Sequence, residues 1–288
     1  MKKKTALSLK SAAIYTTLLT VIFAIMRFYF ISTALERQSG LYKYASNAHT
    51  ITTVSVLAAM AAIIAMSFLC AKKCPEALAC HKPVTLVVSG LLGMLLFFSL
   101  IYNIYTVFSE KAPFGLLTLL ETFFCILSSI YFFIKTGKNS SSNNTTAAVF
   151  SVFPPLYIAV RLIAYFLDTT VIITSSQRHL SLLYMCAAML FLLFDAKVLL
   201  PAPINNQPEF LNSLNTANNK TFRMYVLCTF ACIFFAFSVS LTYFAATVFD
   251  IAVAEIPVLS SLTDIVIGIY AASRVSDHIS AQKANETK

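Results

Sequence analysis

Charge is what this sequence has least of. Asp, Glu, Lys and Arg make up 11% of its 288 residues, while 58% are hydrophobic. Soluble domains carry roughly 25% charged residues, so a soluble globular protein is excluded. Alternating apolar and polar residues of strand period are also missing, which excludes a transmembrane β-barrel. Long polar segments are missing too: the longest connection, from Leu200 to Thr221, has about twenty residues and is rich in Asn and Pro. Nothing there can bury a soluble core, so a cytosolic ATPase, kinase or nucleic-acid-binding domain is excluded. The net charge of +9 therefore calls for a membrane explanation.

Catalytic signatures are absent as well. The chain has no H-E-x-x-H, no G-x-S-x-G, no Walker loop and no paired-aspartate G-x-G-D element. Ser89-Gly90 has no histidine or other base near it in sequence. No enzyme activity is expected, no motif calls for a cofactor, and no motif is specific to a characterised family.

What is present is eight apolar runs. They lie near Ala12–Thr33, Ile51–Ala71, Val84–Phe108, Phe114–Ile134, Ala147–Leu167, Leu180–Leu200, Phe222–Phe249 and Ile251–Ala272. Each has about 20 residues or more, enough for an α-helix to cross ~30 Å of hydrocarbon. The expected fold is an all-α integral membrane protein with eight transmembrane helices.

Basic residues then set the orientation. With a cytoplasmic N-terminus, 15 of the 21 Lys and Arg fall inside, including Lys2, Lys72, Lys135, Lys197, Arg274 and Lys288. Four fall outside, namely Arg37, Lys43, Lys111 and Arg178, and two, Arg27 and Arg161, lie within spans. That bias follows the positive-inside rule and puts both termini in the cytoplasm. The Met1-Lys-Lys-Lys start with a following apolar run resembles a signal peptide. The run is long and interrupted by Arg27, so it reads as a retained helix. The lysine-rich start and short loops suggest a bacterial cytoplasmic membrane.

The four intramembrane charges are Arg27, Glu121, Arg161 and Asp264. A charge in mid-span costs several kcal/mol unless paired or wetted. Helical rise places all four ~9–10 Å below the outer boundary, and their charges cancel. The halves also share local patterns in the same order, such as Ala58-Ala-Met60 with Ala187-Ala-Met189 and Thr106-Val-Phe108 with Thr247-Val-Phe249. The expectation is a 4+4 parallel repeat: residues 1–138, a polar linker 139–146, residues 147–273 and a cytoplasmic tail 274–288. Within it, Arg27 pairs with Glu121 and Arg161 with Asp264, joining the first helix of each unit to its fourth.

Polar neighbours give this level the character of a cavity. Thr118 and Ser128 share a helical face with Glu121, Ser260 and Ser261 one with Asp264, and Asp168 lies two turns beyond Arg161. Asn103 and Ser99 lie one turn apart in span three. Pro154-Pro155 should kink or break span five, because Pro155 lacks an N–H and crowds the carbonyl of Ser151. Cys70, Cys74, Cys80 and His81 match no strong zinc spacing, so no metal site is expected. None of the seven cysteines lies in an outer loop, which argues against a disulfide framework.

Two functions fit this sequence. One is a permease for a small polar solute or ion, with its site in the outer half of the bundle. The other is a non-transporting sensor or assembly subunit in which the four charges clamp helices. The expected partner in either case is the lipid bilayer, with no nucleic acid; the sequence leaves the oligomeric state open.

Overall fold

In lipid, an apolar chain can satisfy its backbone N–H and C=O groups within a single span only as a helix. Apart from one isolated bridge between Leu35 and Tyr42, the regular structure is helical throughout the described residues. The computed structural model describes residues 8–36, 41–43, 47–70, 83–110, 115–136, 149–168, 176–199, 219–251 and 258–286. Its helices are α1 (Leu9–Ala34), α2 (Ala48–Cys70), α3 (Pro83–Glu110), α4 (Leu116–Thr136), α5 (Phe153–Leu167), α6 (Ser176–Leu199), α7 and α8 (Val258–Glu286). Helix α7 is continuous through three parts, Asn219–Phe235, a π-helical turn Ala236–Leu241, and Thr242–Val248.

Seven of these helices are long and apolar enough to cross a membrane, which marks a multi-pass membrane protein. The exception is α5, with 15 residues. Its shortness has a cause in the sequence: Pro154 and Pro155 occupy its first turn, where their missing N–H groups cost nothing. Helical residues 149–150 before them are separated by a turn at 151–152. The apolar run of span five is therefore divided near Ser151, where the proline argument places the break.

The packing forms a closed series of neighbours. Helix α3 packs on α4, α4 on α5, α5 on α6, α6 on α7, α7 on α8, and α8 returns to α3. The α1–α2 hairpin packs on α7. In the second half, α6 packs along α7 and α7 along α8, whereas extensive packing in the first half joins only α1 to α2 and α3 to α4. Nothing in this packing sets helices one to four apart from five to eight as two like units. Outward faces are apolar, as at Ile22, Ile25, Leu57, Val87 and Leu116, and suit contact with lipid.

Close approach rather than hydrophobicity brings these helices together, as expected where lipid tails are as apolar as leucine. Ser129 donates to the carbonyl of Gly93 at 2.9 Å and Cys125 Sγ to that of Leu96 at 3.2 Å, drawing α4 onto α3. On α8, Gly268 faces the π-turn of α7. A Cβ there would lie 2.4 Å from Cβ of Ala236. That contact needs the absence of a side chain.

Gly268→Ala should therefore overpack the α7–α8 seam and cost about 1–3 kcal/mol, as inserted methyls do in packed cores. Thermal melts in detergent should show a lowered midpoint, and Ala236→Gly in the same chain should return most of it.

Candidate functional site: two buried ion clusters

Helix α8 carries charge at two levels. Asp264 and Arg274 are ten residues apart, ~15 Å along the axis at helical rise. Each level gathers partners from other helices.

At the first level, Arg161 on α5 donates two parallel hydrogen bonds to Asp264, Nη1 to Oδ1 at 2.5 Å and Nη2 to Oδ2 at 3.0 Å. Such a fork-to-fork pair fixes orientation as well as charge. Both side chains are buried, 7% and 2% exposed. Tyr184 of α6 donates to the backbone carbonyl of Asp264 at 3.0 Å, and Glu121 on α4, half-buried, lies in the field of Arg161. One arginine thus faces two carboxylates.

Arg27 lies elsewhere, and this corrects the expected Arg27–Glu121 pair. Its guanidinium is buried on α1 and donates to the side-chain oxygen of Gln177 in the first turn of α6. Gln177 in turn donates to Ser181 at 3.2 Å. Helix α1 packs on α2 and α7 while α4 packs on α3 and α5, so Glu121 is on the wrong helix. Equal depth in the sequence could not tell which arginine meets which acid.

The polar residues expected around this level have varied fates. Ser128 is fully buried and donates to the carbonyl of Phe124 at 2.6 Å. Ser261 is buried; Ser260, Thr118 and Asn103 are half-buried on α8, α4 and α3. Thr118 offers its carbonyl to Thr122. Buried Ser99, a turn from Asn103, meets Thr263 of α8 at 3.5 Å. Asp168 ends α5, its N–H bonded to the carbonyl of Ala164. Beside it Arg178, expected in an outer loop, is buried and donates to the terminal carbonyls of Tyr165 and Phe166 at 3.2 and 2.8 Å. A cation there satisfies orphan carbonyls and the helix dipole.

The second level was not anticipated. Asp195 near the end of α6 accepts from Arg274 Nε at 2.8 Å, Tyr270 at 2.7 Å and Tyr225 of α7 at 3.4 Å. Lys135 of α4 stands 3.5 Å from the same carboxylate, bonded to the hydroxyl of Tyr270 and lying over the rings of Tyr270 and Tyr131. Arg274 Nη1 also reaches Asp277 at 3.2 Å, and Thr85 of α3 donates to Asp277 at 2.9 Å. His278 packs edge-on against Phe222 and Tyr225. All these residues are buried, and the two cations balance the two carboxylates.

The sequence places Lys135 and Arg274 among the cytoplasmic basic residues, and residues 274–288 in a cytoplasmic tail. Helix α8 instead continues to Glu286. Counting basic residues at helix ends treats each as hydrated, which hides a cation whose partner sits on another helix. The available signal was spacing: Tyr270, Arg274 and Asp277 recur at four and three residues, one face of a helix.

The two levels are connected along α4. Glu121, Cys125, Ser128, Tyr131 and Lys135 recur at spacings of four, three, three and four. The last four are buried. This polar stripe runs ~21 Å, from the field of Arg161 to the Arg274 cluster.

No group of three or more His, Cys, Asp or Glu side chains among the described residues is placed to hold a metal ion. Cys70 ends α2; Cys74, Cys80 and His81 lie outside the described residues. Chemically, the two clusters can hold helices together, open to water as gates, or pass protons.

Removing one partner of a buried pair leaves the other charge uncompensated, at roughly 3–5 kcal/mol. Arg161→Leu and Asp264→Leu should each lose about that much stability in detergent, and the double variant should recover most of it. Glu121→Gln should give Arg27→Gln no such recovery, since those two side chains do not meet. Comparison with known protein families, curated proteins and solved structures finds no match for this chain.

Proposed function

We propose that this protein is a permease for a small polar solute or ion in a cell membrane, and that its two ion clusters are gates. The observation that carries this reading is the buried cluster at each of two levels of the α3–α8 series, with the polar face of α4 running between them. Intramembrane ionisable groups are rare, face the bundle interior or a water-filled cavity, and mark solute and ion pathways. Closed on both levels, the arrangement corresponds to an occluded state. Opening one level separates an ion pair, and entering water compensates the exposed charges.

The topology proposed with it has eight spans, α5 completing the count together with residues 149–152, and both termini cytoplasmic. Withdrawing the buried Lys135 and Arg274 from the 15 inner basic residues leaves 13, and withdrawing Arg178 from the outer four leaves three. The bias survives. The Arg161 cluster then lies in the outer half and the Arg274 cluster in the inner half. A protease-sensitive tag fused after Lys288 should be cut only from the cytoplasmic side of membrane vesicles; cleavage from the other side would reverse this assignment.

The bidentate geometry of Arg161 and Asp264 favours a second reading, in which the clusters are permanent clamps in a sensor or assembly subunit. Ser128 separates the two, because it is fully buried on α4 between the clusters. In a background lacking native cysteines, Ser128→Cys is exposed to a membrane-impermeant maleimide from each side of sealed vesicles. A permease gives labelling from both sides, increased from outside by Asp264→Asn and from inside by Asp195→Asn. Labelling from neither side in all three chains overturns the permease and leaves the clamp.

A further inference from the structure

We propose that Lys135, Tyr270 and Asp195 form a proton relay, the energy-coupling site of the permease. The relay rests on that reading for its purpose, but its chemistry stands on the contacts alone.

The hydrogen bonds run in one direction. Lys135 Nζ donates to the Tyr270 hydroxyl oxygen, and the Tyr270 hydroxyl donates to Asp195 Oδ2 at 2.7 Å. Nitrogen, hydroxyl and carboxylate therefore form an unbroken chain across α4, α8 and α6. A proton leaves Lys135 by breaking one N–H bond and forming a bond to the Tyr270 oxygen. The original Tyr270 O–H bond breaks as its proton joins Asp195. The products are a neutral amine, an unchanged tyrosine and a carboxylic acid. Charge is conserved, and no oxidant, reductant or further reactant takes part.

The neighbouring groups select this path. Arg274 cannot give up a proton in a protein. It is engaged by Asp195 Oδ1 and Asp277, and Asp277 is further held by Thr85. Tyr225 reaches the other carboxylate oxygen of Asp195, off the chain. His278 faces Phe222 and Tyr225, and Tyr131 meets Lys135 from its own helix at 3.4 Å. After the transfer Asp195 keeps two donors, Arg274 and Tyr225, and its new O–H donates back to Tyr270. At 3.5 Å, Lys135 is the most distant of its four partners, so the cluster tolerates loss of that charge.

Position suits exchange with water on one side and with the pathway on the other. Lys135 is one residue from the end of α4, and Asp195 is four from the end of α6. In the other direction Tyr131 begins the buried polar face of α4 that leads toward Glu121. A proton held here reports to the interior while lying within about one helical turn of the bundle's end.

The test uses the full chain, folded in nanodiscs without any solute, with 15N-lysine and 13C-aspartate labels and Lys135→Met and Asp195→Asn for assignment. In wild type, the Nζ signal of Lys135 and the carboxyl signal of Asp195 should both change at the step that removes their shared proton, since two groups exchanging a proton titrate in macroscopic steps that belong to the pair. Lys135 remaining ammonium and Asp195 remaining carboxylate at every pH the fold survives overturns the relay. Tyr270→Phe should slow exchange of the Lys135 protons with water by at least tenfold, whereas Tyr225→Phe should leave it unchanged. Equal effects from the two tyrosines also overturn it. Should Tyr270→Phe fail to fold, the wild-type titration decides. Absence of two-sided maleimide labelling with the shared titration intact would refute the permease reading alone.

Discussion

The structure depends on neutralising the charge that α8 carries into an apolar bundle. A buried ion without a counterion costs several kcal/mol even after relaxation, more than most single contacts return. Asp264, Arg274 and Asp277 therefore dictate what must stand beside α8. Arg161 answers from α5, Asp195 from α6 and Thr85 from α3. Tyr270 adds α4 through Lys135, and His278 adds α7 through Phe222. One helix thus contacts every other member of the closed series through polar or aromatic side chains. Apolar faces could have packed in many rotations, whereas these contacts permit few.

Close packing and charge pairing support one another at the seam with α7. Gly268 lies between Asp264 and Arg274 on α8 and lets the backbone approach Ala236, where α7 loosens into a π-turn. Ser238 and Thr242 bond back to carbonyls of their own helix at 2.5 and 2.7 Å, which satisfies groups freed by the wider turn. A bulkier seam would tilt α8 and pull both ion clusters out of reach. π-turns of this kind recur at functional sites, and here one sits between the two charged levels.

Much of the architecture was legible in the sequence because the bilayer restricts the choices. Length and hydropathy alone mark the long helices, and Pro154-Pro155 accounts for the short α5. The Arg161–Asp264 contact was legible for a similar reason, since two opposite charges at equal depth must find partners. The choice of partner was not legible for Arg27, because depth is a one-dimensional coordinate and helix neighbours are set in two dimensions. Nor was the Arg274 cluster. Its residues fall at the ends of apolar runs, where a water-exposed side chain and a buried, paired one have the same local sequence. The ordered hydrophobic echoes between the halves carry no comparable constraint, and the packing does not show them as two like units.

The two clusters differ in a way that bears on motion. Arg161 and Asp264 are joined by two aligned bonds, so any displacement loses both together. The Arg274 cluster is redundant: among the described residues Asp195 takes donors from α4, α7 and α8, and Asp277 is reached by both Arg274 and Thr85. Sliding one helix there exchanges partners without stranding a charge. Rigid geometry suits an end that holds register, and redundant geometry suits an end that rearranges. A bundle with one of each holds its helices in register more firmly at the Arg161 end than at the end holding Lys135.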